Sequence, residues 1–266
     1  MPFAKNGEIE IHYHVQGTGY PLILVHGFMG DISSWHKLGY IDRLSADYMV
    51  IAIDARGHGR SGTPYEPTAY RDRTMATDVI SVMDDLGIED AFYYGFSMGG
   101  RIGFELAAFY EDRFKAFILG AQTPGGRTDS GTIADKKRLS LFQKDKSVFL
   151  KVLRRSGPEF DSYMDGAVNG DIKAFTAKTK ANAFREDISD LLTDLSTPCL
   201  LYAGEKDTLA HDSLRENAIK IPSATFVEFP GLNHMQSVSE SELIIPTILD
   251  FLDPITDRYI SRDKSF

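Results

Sequence analysis

The chain is predicted to fold as a doubly wound α/β domain on a mostly parallel sheet, with an antiparallel hairpin at its N-terminus. The first observation behind this is a set of short, unbroken apolar runs at 21–25, 49–53, 91–94, 116–119, 199–203 and 225–229. A strand covered by helices on both faces buries every side chain, so it reads as continuous apolar sequence rather than alternation. The second is that helical patterns separate these runs, as crossovers between parallel strands require. The third is an interval, about 123–197, with no convincing strand.

In order, the first 16 residues read as the hairpin. Asn6-Gly7 is a favoured two-residue turn because both positions tolerate positive φ. Beyond it Ile9, Ile11, Tyr13 and Val15 share one strand face, and Glu10, His12 and His14 share the other. His12 and His14 sit at a spacing some metal sites use, yet no matching carboxylate or thiolate motif follows, so that face is read as solvated. At 72–86, Met75, Val79, Val82, Met83 and Leu86 form one apolar stripe, and Gly87 supplies the stop. Strand-like runs resume at Cys199, so 123–197 is expected to be a helical insertion in a core made of 1–122 and 198–266. No internal repeat interrupts the pattern.

Composition excludes several classes. The 266 residues are 42% hydrophobic and 25% charged, ordinary for a globular chain and unlike a disordered one. The net charge of −9 argues against general nucleic-acid binding, which needs excess Lys and Arg. One cysteine, Cys199, cannot form an internal disulfide, which suits a reducing compartment. With neither a signal-peptide run nor 18 consecutive apolar residues, a cytoplasmic protein without a membrane span is expected.

The chemistry centres on Gly95-Phe96-Ser97-Met98-Gly99, which follows a buried strand and opens a helix over about 98–110. Alone the pentapeptide is a weak signal. In that setting the turn must be tight, small flanking residues let strand and helix approach, and the central side chain projects clear of the sheet. A serine hydroxyl needs a base, and the base needs an orienting acid. Asp207 follows the run at 199–203, and His234 follows the run at 225–229. Loops at the carboxyl ends of parallel strands share one crevice, so the order Ser, Asp, His places all three there. Glu205 lies close enough to compete with Asp207. His26-Gly27-Phe28 follows the run at 21–25, and the N–H groups of Phe28 and Met98 are the expected oxyanion donors.

On these residues the sequence resembles the α/β-hydrolase superfamily over 1–122 and 196–266. Asp54-Ala55-Arg56-Gly57-His58-Gly59-Arg60-Ser61 is similar to the family's Asp-x-x-Gly-x-Gly-x-Ser turn, read here as structural. The resemblance implies Ser97 as nucleophile, His234 as base and then acid, and Asp207 as orienting acid, with no cofactor or metal. It also implies that 123–197 is a helical cap. Relatives that open epoxides or remove halogens carry Asp at the elbow, and dienelactone hydrolases carry Cys; Cys199 instead falls in a strand and is read as inert core. The Pro often found after the acid is missing here. Phe28, Met29, Phe96 and Met98 adjoin the reacting centre and are the candidate substrate contacts, a lining suited to an uncharged, moderately hydrophobic ester or lactone.

The implied activity is therefore hydrolysis of a small carboxylic ester or lactone through an acyl-enzyme. Cofactor-free perhydrolase or haloperoxidase, enol-lactone and C–C bond hydrolysis use the same triad and stay open. So does a ligand-sensing receptor on the same scaffold. Eight Lys and Arg against one Asp at 136–155 are read as a solvated cap face, and Arg101 as a helix-face ion pair. Residues 124–197 hold thirteen basic and eleven acidic side chains, so the acidity belongs to the remainder of the chain.

Overall fold

The computed structural model describes residues 2–155 and 157–263. Eight strands form one sheet: β1 (Phe3–Asn6), β2 (Ile9–Gln16), β3 (Tyr20–Val25), β4 (Tyr48–Ile53), β5 (Ala91–Phe96), β6 (Phe114–Gly120), β7 (Cys199–Gly204) and β8 (Ala224–Phe229). Their order is β1-β2-β4-β3-β5-β6-β7-β8. β1 and β2 pair antiparallel, as do β2 and β4, and every other pairing is parallel. The hairpin turn uses Gly7 at φ 60°, as the Asn-Gly pair implies.

Alternate side chains of each central strand enter two cores. After α1 (Ile32–Lys37) and α2 (Tyr40–Leu44) the chain forms α3 (Asp72–Asp85) and α4 (Met98–Phe109), and Met75, Val79, Ile102 and Leu106 of the latter two pack with Ile23 and Val25. Leu22 and Leu24 pack on the other face with Trp35, Tyr40, Ile245 and Leu252. Each such side chain, moved from water to the interior, contributes about 1.5–3 kcal/mol. Two faces covered this way explain the unbroken apolar runs.

Between β6 and β7 the described residues make four α-helices: Asp129–Phe142, Lys146–Arg154, Met164–Asn169 and Ile172–Ala181. Phe142, Phe149, Leu153, Ala167 and Phe175 form a third cluster there, with Phe28 and Met29 packed against it. That contact seats these helices against the loop at the carboxyl end of β3. Among the described residues, no helix is long and apolar enough to cross a membrane.

Two expectations are corrected. β8 is an edge strand with Thr225 and Glu228 exposed, because among the described residues no strand continues the sheet beyond it. The Glu10, His12, His14 face of β2 is not uniformly solvated. His12 is buried, with Nδ1 at 2.7 Å from Asp54 Oδ2 and its backbone N–H donated to Ser61 Oγ at 2.8 Å. The turn after β4 folds down over that face.

Candidate active site

Residues 95–99 form the expected strand-to-helix elbow. Ser97 has φ 52° and ψ −107°, a conformation that costs about 1–3 kcal/mol for a non-glycine residue. Its N–H donates to Gly120 O at 2.8 Å, which anchors the strained residue to β6. A Cβ on Gly95 would lie 2.3 Å from Gly99 O, and one on Gly99 would lie 2.0 Å from Val25 O. Both glycines are required by close approach of backbones. Tyr93 Oη donates to Gly99 O at 2.7 Å and ties the helix start to β5.

The elbow projects Ser97 to His234. Ser97 Oγ lies 3.0 Å from His234 Nε2, and His234 Nδ1 lies 2.7 Å from Asp207 Oδ2. Asp207 is buried and can only accept, so the proton on the imidazole sits on Nδ1 and the Nε2 lone pair faces the serine. The other carboxylate oxygen, Oδ1, accepts from Leu209 N at 3.0 Å. Glu205, the competing carboxylate, instead accepts from Gly231 N at 2.8 Å and does not reach the imidazole. The Phe96 ring lies 5.3 Å from that of His234 and covers one side of it.

The loop after β3 turns sharply, with Met29 at φ 68° and Gly30 N donating to Gly27 O at 3.0 Å. Among the described residues the N–H of Phe28 has no protein acceptor, and that of Met98, first residue of α4, has none within its helix. The Asp54–Ser61 turn holds this loop in place. Asp54 Oδ1 accepts from Ile32 N at 2.8 Å, Oδ2 accepts from Arg60 N at 3.0 Å, and Ala55 N donates to His26 Nε2 at 3.1 Å. Burial would raise the Asp54 carboxyl, but the His12 hydrogen bond, the His26 ring and the Arg60 and Ile32 amides hold it below its ordinary value.

His58 of the same turn is buried, and burial, with the neighbouring His26, pushes its pKa down to about 3. It therefore stays neutral when folded and takes a proton only when unfolded. Stability contributed this way is complete above the unfolded value near 6.5 and is lost as pH falls toward about 3, at roughly 1.4 kcal/mol per unit. Denaturant midpoints measured between pH 7 and 4 should fall, and His58→Gln should flatten that slope. An unchanged slope in the variant would exclude His58 as its source.

A cavity of about 520 Å³ joins Ser97 and His234 to the helices between β6 and β7. Phe28, Met29, Phe96 and Met98, the candidate substrate contacts, all line it. So do Arg138, Lys178 and Arg185, which the sequence reading missed. Arg138 belongs to the basic run assigned to a solvated face, yet its guanidinium lies 5.3 Å from the Phe28 ring centre. Arg101 forms the predicted ion pair, with Glu105 at 2.9 Å and Asp72 at 3.1 Å, but in the interior rather than on an open helix face. Cys199 is buried in β7, and burial pushes its thiol far up, consistent with inert core.

The family described as the alpha/beta hydrolase fold matches residues 20–241. An esterase structure from Thermogutta terrifontis, with malate bound, superposes with a TM-score of 0.80 at 25% identity, covering 95% of this chain and 96% of that one. The enol-lactonase of Burkholderia xenovorans LB400 superposes with a TM-score of 0.81 at 24% identity, over 95% of this chain and all of that one, a likeness of fold. In sequence, the 2-(acetamidomethylene)succinate hydrolase of Mesorhizobium japonicum is 23% identical over 265 residues, 93% of each chain. Two local matches of higher identity, 35% over 119 residues and 37% over 111 residues, span less than half of this chain and of each relative.

Proposed function

Because the chain belongs to the alpha/beta hydrolase family, we propose that it is a serine hydrolase acting on a carboxylic ester or lactone through an acyl-enzyme. The observation that carries this reading is the continuous hydrogen-bond chain from Ser97 Oγ to His234 Nε2 at 3.0 Å and from His234 Nδ1 to Asp207 Oδ2 at 2.7 Å. The full-length esterase likeness at 25% identity supports the same reaction class.

Ser97 Oγ attacks the acyl carbon while His234 Nε2 takes its proton. The Phe28 and Met98 N–H groups, free of protein acceptors, stabilise the oxyanion; one such donor is worth about 3 kcal/mol. The imidazolium, held by Asp207, then protonates the departing alkoxide as the acyl C–O bond breaks. Water activated by the same imidazole attacks the acyl-enzyme, releasing the acid and restoring Ser97. No cofactor enters this scheme. Residues 123–197 act as the cap and 1–122 with 198–266 as the core, so the cap closes the acyl pocket over Phe28, Met29, Phe96 and Met98.

A fluorophosphonate probe tests the assignment directly. One equivalent should attach at Ser97, and Ser97→Ala should abolish labelling. Labelling that persists in that variant, or that maps to another serine, would overturn it.

A further inference from the structure

The cavity over Ser97 carries positive charge that ester cleavage does not use. Arg127, Arg138, Lys178 and Arg185 line it from the segment between β6 and β7, where Asp135 and Glu159 are the carboxylates. Glu159 accepts from Asn233 Nδ2 at 3.2 Å and, among the described residues, makes no ion pair with these cations. Asp135 serves two arginines, Arg138 at 2.9 Å and Arg127 at 3.7 Å. Behind the wall, Asp72 serves Lys178 at 3.4 Å and Arg185 at 3.2 Å. Its third partner, Arg101, is also engaged by Glu105 and by the carbonyl oxygens of Pro124 and Glu186. Two carboxylates thus balance two of the four cations.

The donors left over point to what is missing. Among the described residues Arg185 binds Asp72 through Nε, and its two terminal nitrogens have no acceptor. Arg138 uses Nη1 on Asp135, leaving Nη2 and Nε. Lys178 is only 3% exposed. It gives hydrogens to Asp72 and Asn182 Oδ1, at 3.4 and 3.1 Å, and has a third to give. Burial would raise the Asp72 carboxyl, but the charges of Arg185, Lys178 and Arg101 outweigh that and hold it far below its ordinary value, so the pairs are ionised. Excess cations in a partly desolvated wall are unfavourable until an anion joins them. Planar guanidinium groups with free paired donors suit a carboxylate. Because Arg138 lies over the Phe28 ring, the cluster adjoins the loop whose N–H faces the scissile bond.

We propose that the substrate is an ester or lactone bearing a second, free carboxylate, which docks among Arg138, Lys178 and Arg185 while its scissile carbonyl meets Ser97. This rests on the serine-hydrolase reading above. The docked carboxylate undergoes no bond change: water is consumed, one acyl C–O bond breaks to give a carboxylic acid and a hydroxyl group, and the product that bears the second carboxylate leaves from the anchor. The apolar lining at Phe28, Met29, Phe96 and Met98 then accommodates the carbon chain between the two ends.

Two matched pairs test it. One compares 4-nitrophenyl hydrogen adipate with 4-nitrophenyl hexanoate, placing the carboxylate on the acyl side. The other compares 6-acetoxyhexanoate with hexyl acetate, placing it on the alcohol side. In at least one pair the acid should be favoured tenfold or more in kcat/KM, a preference that weakens at high salt. Arg185→Gln and Arg138→Gln should each cut the acid-to-neutral ratio at least fivefold, mainly through KM. Ratios near one in both pairs, or a preference that survives both substitutions, would overturn the proposal. Ser97-dependent turnover of the neutral esters reports on the hydrolase reading alone. Should neither kind of ester be cleaved, calorimetric titration of adipate still decides: binding lost in the two variants supports the anchor, and no binding, or equal binding in all, sinks it.

Discussion

Ser97→Ala should lower kcat/KM for 4-nitrophenyl acetate by about 10⁴-fold or more, the scale on which loss of a triad nucleophile acts. The fold should survive, because among the described residues Ser97 Oγ hydrogen-bonds only with His234, and the residue is anchored by its own N–H on Gly120 O. Ser97→Gly gives the sharper comparison. At φ 52° glycine relieves backbone strain of about 1–3 kcal/mol, so this variant should be equally inactive yet unfold several degrees higher. Inactivity accompanied by added stability separates chemistry from structure. Activity above about 1% of wild type in either variant would mean that Ser97 is not the attacking group.

The residues whose placement was legible are those encoded by local geometry. Ser97 was visible because its glycine neighbours, the strand before it and the helix after it are all within a dozen positions. Asp207 and His234 were visible because a parallel sheet delivers the ends of its strands to one crevice, so their place after β7 and β8 stood in for distance. The choice of Asp207 over Glu205 needed the backbone, since the two are two positions apart and only one turns inward.

The anion cluster was not legible for the opposite reason. Lys178 and Arg185 meet Asp72 across 106 and 113 positions, and the packing of the Ile172–Ala181 helix on the short turn of helix at Pro67–Tyr70, just before Asp72, brings these segments together. A lysine in a helix reads as solvated until its counterion is found. His12 failed the same way: its partner Asp54 lies 42 positions on, in a turn whose path the strand pattern of β2 does not reveal. The sequence-level preference for an uncharged ester came from the residues nearest Ser97, which do line the cavity, and could not weigh the cations that the segment between β6 and β7 adds to it.

Gly99→Ala should be the most damaging small substitution in the core, costing about 3 kcal/mol or more. A new Cβ would sit 2.0 Å from Val25 O, 2.7 Å from Val25 C and 3.2 Å from His26 O. These are backbone atoms at the end of β3, so no rotamer change relieves the collision; α4 and β3 must separate. Gly103→Ala, in the same helix, meets Leu119 Cδ2 at 2.2 Å and Tyr93 Cε1 at 2.6 Å, side-chain atoms with some freedom to move. It should cost less. Gly125→Ala, whose nearest neighbour is Thr123 Oγ1 at 3.4 Å, should be close to neutral. Urea midpoints for the three variants should follow that order. The separation forced by Gly99→Ala also moves the Met98 N–H relative to the loop bearing the Phe28 N–H, because Val25 and His26 lead directly into it. Whatever fraction folds should therefore lose kcat by more than it loses substrate binding, since both donors act on the oxyanion rather than on the ground state. A Gly99→Ala protein within about 1 kcal/mol of wild type, or one with unchanged kcat, would show that the approach of α4 to β3 does not set the spacing of the two amides.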